Sequence, residues 1–174
     1  MLEEPEPVYH RLTMMTNDIL RRLRYSLRLS DDAMLEMLSL AGSPIGKDRL
    51  LSYFKRDDEP GYAECPKAAL SSLLDGMILK FRGPGPKGAA PATVEPLDNN
   101  MVLKKLRIAL ALKEDDMLSV MRLGEAELSA GELRALFRGR GQRNYVECLD
   151  QYLRGFLTGL ARRSDGDDTT RKSV

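Results

Sequence analysis

Two stretches of this chain are copies of one another at a single fixed spacing. Asn17 aligns with Asn100, and the offset of 83 positions then holds without a gap through Lys80 and Arg163. Leu20, Leu23, Arg24, Leu27 and Leu29 fall on Leu103, Leu106, Arg107, Leu110 and Leu112, and Met34, Leu35 and Leu40 on Met117, Leu118 and Leu123. Leu50 and Phe54 meet Leu133 and Phe137; Tyr62, Glu64 and Cys65 meet Tyr145, Glu147 and Cys148; Gly76 meets Gly159. Self-similarity of this kind means that one supersecondary unit is built twice.

Each copy reads as four helices. Ile19, Leu20, Leu23 and Leu27 recur at helical spacing, as do Leu103, Leu106 and Leu110 in the second copy. Ser30-Asp31-Asp32 ends that run and supplies acceptors and negative charge to the open N–H groups of a second helix, whose apolar face is Met34, Leu35, Leu38 and Ala41. A third helix is expected from about Lys47 to Arg56, and its counterpart opens with Ser129 and Glu132 at capping-box spacing. A fourth starts near Pro66, a favoured first-turn proline, with Leu70, Leu73, Leu74 and Met77 on its face. Gly76 and Gly159 lie inside these last helices, where glycine costs about 1 kcal/mol against alanine. Their recurrence predicts close approach by another helix, and the two repeats are expected to pack through the faces that carry them.

The resulting expectation is an all-α fold: two tandem four-helix repeats with internal pseudo-two-fold symmetry and a helix-turn-helix-like element in each. The divisions are an N-terminal extension over 1–15, repeat 1 over 16–81, a Pro/Gly/Ala-rich linker over 82–98, repeat 2 over 99–163 and a disordered polar tail over 164–174. Met1 and Met15 both stand as candidate starts. The N-terminus has acids and prolines where a signal peptide needs a basic start and an apolar run, and no stretch reaches the roughly 18 apolar residues of a membrane span. Two cysteines among 174 residues are too few for a disulfide scaffold. The cytoplasm is the expected compartment and no membrane is expected among the partners.

The stretch Thr16-Asn17-Asp18-Ile19-Leu20-Arg21-Arg22-Leu23-Arg24-Tyr25, the Ser30-Asp31-Asp32 step and the paired Tyr-x-Glu-Cys motifs resemble the YehS-like family of bacterial proteins, a two-repeat domain of unknown function. The resemblance runs from about Met15 to Arg163. It implies the fold, a bacterial cytoplasmic setting and a non-family extension before Met15. It implies no activity.

The net charge of +1 excludes a protein that coats nucleic acid or membranes by bulk charge, though not one with a local basic patch. Helices two and three have the order of a helix-turn-helix, and an exposed third-helix face would carry Lys47, Arg49, Lys55 and Arg56 in the first copy, and Arg134 and Arg138, with Arg140 beyond them, in the second. The connection from Gly42 to Gly46 is longer than the usual tight turn. The first helices are basic in both copies: Arg21, Arg22, Arg24 and Arg28, then Lys104, Lys105 and Arg107. The functional reading of these cations is a surface for phosphates or an acidic partner. The competing reading is a solvated face whose arginines bridge Asp31, Asp32, Glu114 and Asp115.

Enzymatic chemistry has little to stand on. His10 is the one histidine and has no triad or metal-ligand partner in the sequence. Asp31-Asp32 and Asp115-Asp116 read as helix caps, and Gly83-Pro84-Gly85-Pro86-Lys87-Gly88 lacks phosphate-loop spacing. Cys65 and Cys148 read as small buried apolar residues, with no metal and no cofactor implied. The preferred function is a non-enzymatic regulatory protein that contacts DNA or RNA. The alternative is an adaptor binding a protein partner in a groove between the repeats.

Overall fold

The computed structural model describes residues 14–86 and 97–171, with side chains described through Gly166. Most of the N-terminal extension, His10, the middle of the linker and the last three residues lie outside them. The described residues form eight helices and no strand. They are α1 (Thr16–Leu27), α2 (Asp31–Leu40), α3 (Lys47–Ser52) and α4 (Lys67–Arg82), then α5 (Asn99–Ala109), α6 (Glu114–Leu123), α7 (Ala130–Leu136) and α8 (Asp150–Arg171). Gly83 ends α4 at φ 77, with Pro84 behind it. Repeat 2 has no such stop, and α8 continues to Arg171, so residues 164–171 of the tail that was expected to be disordered extend the last helix.

The caps follow the residues that signal them. Ser30 accepts from the Ala33 N–H, and Ser129 and Glu132 close a reciprocal capping box. At the head of α6 the Asp116 carboxylate accepts from the Lys113 N–H. The third helices are shorter than periodicity predicts, at six and seven residues. Two carbonyls that would continue α3 are diverted: Ser52 O accepts from the Ala63 N–H and Tyr53 O from Asn17 Nδ2. In repeat 2, Ala135 O and Leu136 O are taken in the same way by the Val146 N–H and Asn100 Nδ2. Lys55 and Arg56 therefore sit in a turn and not on a helix face.

The asparagines that open the repeat make these diversions. Asn17 is 1% exposed; its Nδ2 donates to Tyr53 O at 3.0 Å and Ala63 O at 2.9 Å, and its Oδ1 accepts from the Cys65 N–H at 2.9 Å. Asn100 repeats all three bonds with Leu136 O, Val146 O and the Cys148 N–H. Thr16 and Asn99, one position earlier, donate to the carbonyls of Cys65 and Cys148. One side chain thus ties the first helix to both ends of the irregular loop between the third and fourth helices.

The repeats interlock. Within each, the second helix packs on the fourth, α2 on α4 and α6 on α8. A Cβ at Gly76 would fall on the Met37 carbonyl oxygen, and one at Gly159 on that of Val120. The predicted close approach is therefore real but lies inside each repeat, and the expected packing of repeats through the glycine faces is corrected: glycine is needed where the second helix's backbone crosses. Between repeats, α1 packs on α8 and α5 on α4, so each first helix leans on the other repeat's fourth helix. Leu20, Leu23, Leu103, Leu106, Leu74, Met77, Phe156 and Leu157 are buried in one continuous core. Ser26 Oγ donates across the junction to Leu157 O at 2.9 Å, and Lys105 Nζ reaches Asp75 at 2.6 Å. Asp150 Oδ1 accepts from both the Met14 N–H and Asn99 Nδ2, joining the starts of α1 and α5. No helix among the described residues is long and apolar enough to cross a membrane.

Cys65 and Cys148 are 2% and 1% exposed. Burial pushes the Cys65 thiol up to about 11; burial, and then the Asp98 and Asp150 carboxylates, push that of Cys148 up to about 12. Both are protonated core residues rather than nucleophiles.

Three outcomes follow from this packing. Asn17→Ala and Asn100→Ala each strand three buried backbone groups and should lower unfolding free energy by about 2–4 kcal/mol in urea titrations. Gly76→Ala forces α2 off α4 and should cost at least about 3 kcal/mol; a melting temperature equal to wild type would refute that crossing. Because the folded thiols titrate above their ordinary 9.0, their contribution is complete below about pH 9 and fades as pH rises through about 11 to 12. Stability measured over that window should fall less steeply in a Cys65→Ala, Cys148→Ala double variant.

Candidate nucleic-acid or partner interface

The thirteen cations singled out in the sequence do not form one surface. Arg24 and Arg107, equivalent across the repeat, act inside their own copies. The Arg24 guanidinium lies over the Phe54 ring at 4.5 Å and that of Arg107 over Phe137 at 4.6 Å. Arg24 Nη2 is 2.8 Å from Asp31 Oδ1, although that oxygen receives no directed hydrogen bond, so the contact is an ion pair of imperfect angle. Arg107 Nε donates to Leu112 O at 3.3 Å. Each arginine brackets its first helix to the turn after the third and to the entry of the second, a cation–π contact worth about 0.5–1 kcal/mol or more as solvent is excluded.

The third-helix cations are dispersed too. Lys47 stands 3.9 Å from Asp31, Arg134 pairs with Glu114 at 3.1 Å, and Arg56 pairs with Asp58 at 3.1 Å. Lys55 donates to Pro60 O, and Arg138 to the carbonyls of Arg143 and Asn144. Lys105 is taken by Asp75 and Ser71. Arg49 and Lys104 are exposed and make no ion pair among the described residues. A helix of six residues rises only about 9 Å, too little to carry a reading face along a groove.

What the fold does bring together is the outer face of α1. Arg21, Arg24, Tyr25 and Arg28 line one open groove with Phe54 and Asp165. Arg21, Arg22 and Tyr25 line an adjoining one against Leu157, Thr158 and Ala161 of α8, which is a groove between the repeats. Tyr25 stands between them and is 70% exposed, more than any other large apolar side chain described. Arg22 pairs with Asp18 at 3.2 Å and Arg28 with Asp165 at 3.0 Å, both at the surface.

The second repeat differs here. Ile108 replaces Tyr25 and Ala111 replaces Arg28, while the counterpart of Thr158 is Asp75, which neutralises Lys105. The cluster of three arginines around an exposed aromatic is thus confined to repeat 1. Tyr25 was visible in sequence only as an aromatic on a polar helix face, three to four residues from Arg21, Arg22 and Arg28. Reading both first helices as equivalent basic surfaces hid it.

The family model described as a protein of unknown function, DUF1456, matches residues 16–83 and again 99–166, the two interlocked units. The uncharacterized protein YehS of Escherichia coli strain K12 is 38% identical over 150 residues, covering 86% of this chain and 96% of that relative. No solved structure matches the chain. The two matches at the repeat spacing, with the identity to YehS over most of both chains, place this chain in the family of proteins of unknown function DUF1456.

Proposed function

We propose that this chain is a non-enzymatic regulatory protein that contacts single-stranded nucleic acid through the outer face of α1. The observation that carries the reading is Tyr25, 70% exposed, with Arg21 and Arg22 one turn before it on α1 and Arg28 at the left-handed C-cap just beyond the helix. An exposed ring stacks on an unpaired base for about 1–3 kcal/mol, and flanking guanidinium groups take the phosphates on either side. The Arg22–Asp18 and Arg28–Asp165 pairs are surface pairs worth about 0–1 kcal/mol, so a phosphate can displace the carboxylates at little cost. A duplex keeps its bases stacked and offers Tyr25 nothing to stack on.

A second reading rests on the groove between α1 and α8, where Leu157 and Ala161 give an apolar wall beside Tyr25. An adaptor would seat an apolar side chain of a protein partner there.

The two separate in fluorescence anisotropy with labelled single-stranded DNA, single-stranded RNA and duplex DNA. Three phosphate contacts give a log–log salt slope of about −2 on a single strand, so affinity should drop about 16-fold between about 50 and 200 mM salt. Tyr25→Ala should weaken binding about tenfold or more at unchanged melting temperature. Absence of binding to every probe at low salt, or an unaffected Tyr25→Ala variant, sinks the nucleic-acid reading and directs the search to co-purifying proteins.

A further inference from the structure

Repeat 2 holds a cleft at the head of α5 that shares no lining residue with the grooves beside Tyr25. Its rim carries Lys104, Arg138 and Arg140 against a single carboxylate, Asp98, and its walls include Met101 and Phe137. The volume is about 170 Å³. That exceeds the roughly 30 Å³ share of one water but falls below the roughly 300–1,000 Å³ of pockets for drug-sized ligands. The size selects a small group, and the charge selects an anion.

The corresponding place in repeat 1 is bridged. There Arg21 Nη2 donates to the Lys55 carbonyl, drawing the first helix onto the turn. Lys104 is the counterpart of Arg21 and Arg138 that of Lys55, but Lys104 makes no such bond among the described residues. A lysine there leaves the cleft open and its ammonium uncommitted.

Arg140 Nη2 lies 2.7 Å from Asp98 and Arg138 Nη1 donates to two carbonyls at 3.3 Å, so each guanidinium has a partner that orients it beside the cleft. Each guanidinium has five N–H donors, and most of these remain for a ligand, beside the three of Lys104. We propose that this cleft binds a phosphomonoester dianion, of which inorganic phosphate is the smallest member. Three donor groups suit the three oxygens of a phosphoryl group better than the two of a carboxylate, and Met101 and Phe137 favour an ester with an apolar substituent.

The test is a two-dimensional ¹H–¹⁵N NMR titration of the full chain with inorganic phosphate, phenyl phosphate and acetate at constant ionic strength. Phosphate should give saturable shifts at the amides of Lys104, Gly139 and Arg140, phenyl phosphate the same shifts at lower concentration, and acetate none that saturate. Lys104→Arg keeps the charge, but a bridge like that of Arg21 to the Lys55 carbonyl would lay the longer side chain across the cleft and fill it. It should weaken phosphate binding about tenfold or more while leaving melting temperature and single-strand binding at the α1 face unchanged. Arg140→Gln, with the charge removed, should weaken phosphate binding at an intact cleft. Unsaturable shifts, equal response to acetate, or full phosphate affinity in Lys104→Arg each overturn the proposal. So does a parallel loss of single-strand binding in Lys104→Arg, which would make the cleft part of the nucleic-acid face; failure of Tyr25→Ala to affect nucleic acid leaves this site standing.

Discussion

Two buried asparagine side chains set the geometry on which the other contacts depend. Asn17 and Asn100 each use both donors and the acceptor of one amide on three backbone groups of the loop between the third and fourth helices. By taking a carbonyl from the last turn of the third helix, the amide ends that helix. By accepting from a cysteine N–H, it fixes where the fourth helix begins. The loop then presents Phe54 or Phe137 to the arginine of the first helix. Length of helix, path of loop and placement of the bracket arginine all descend from one amide, and its burial makes an unsatisfied replacement costly.

The second organising feature is that the repeats exchange their first helices' apolar faces. With α1 on α8 and α5 on α4, the buried leucines of each first helix are covered largely by the other copy. A single repeat of some 66 residues would expose that face, and domains of such size have little stability to spare. The core is one core, although the sequence is two copies.

Much of this could be read from residues alone, and the misses share a cause. The fixed offset of 83 gave the unit and its count. Ser30 and Ser129 marked caps that form as expected, and the leucine faces of the first and fourth helices are the buried ones. These are local signals, carried by neighbouring residues. The length of α3 was not local: Ser52 and Tyr53 lose their helical partners to Ala63 and Asn17, distant in sequence. The glycines foretold a crossing but not which helix crosses, since α2 and the other repeat would leave the same mark. The basic residues read as one surface, but an arginine over a ring, an arginine on a carbonyl and an arginine in solvent are identical in sequence. Tyr25 was hidden by the symmetry that revealed the fold.

The interlocked arrangement is that of a homodimer whose two subunits have been written into one polypeptide. A true homodimer must carry every substitution twice, so a feature useful on one side is imposed on both. Here the tie holds only for the shared scaffold: the asparagines, the bracket arginines and the crossing glycines remain paired. Away from it, one half carries Tyr25 and the other Ile108, and one half carries Arg21 bonded across the turn and the other Lys104 beside an open cleft. Covalent fusion lets two halves of a symmetric frame acquire separate outer surfaces without disturbing the frame that holds them.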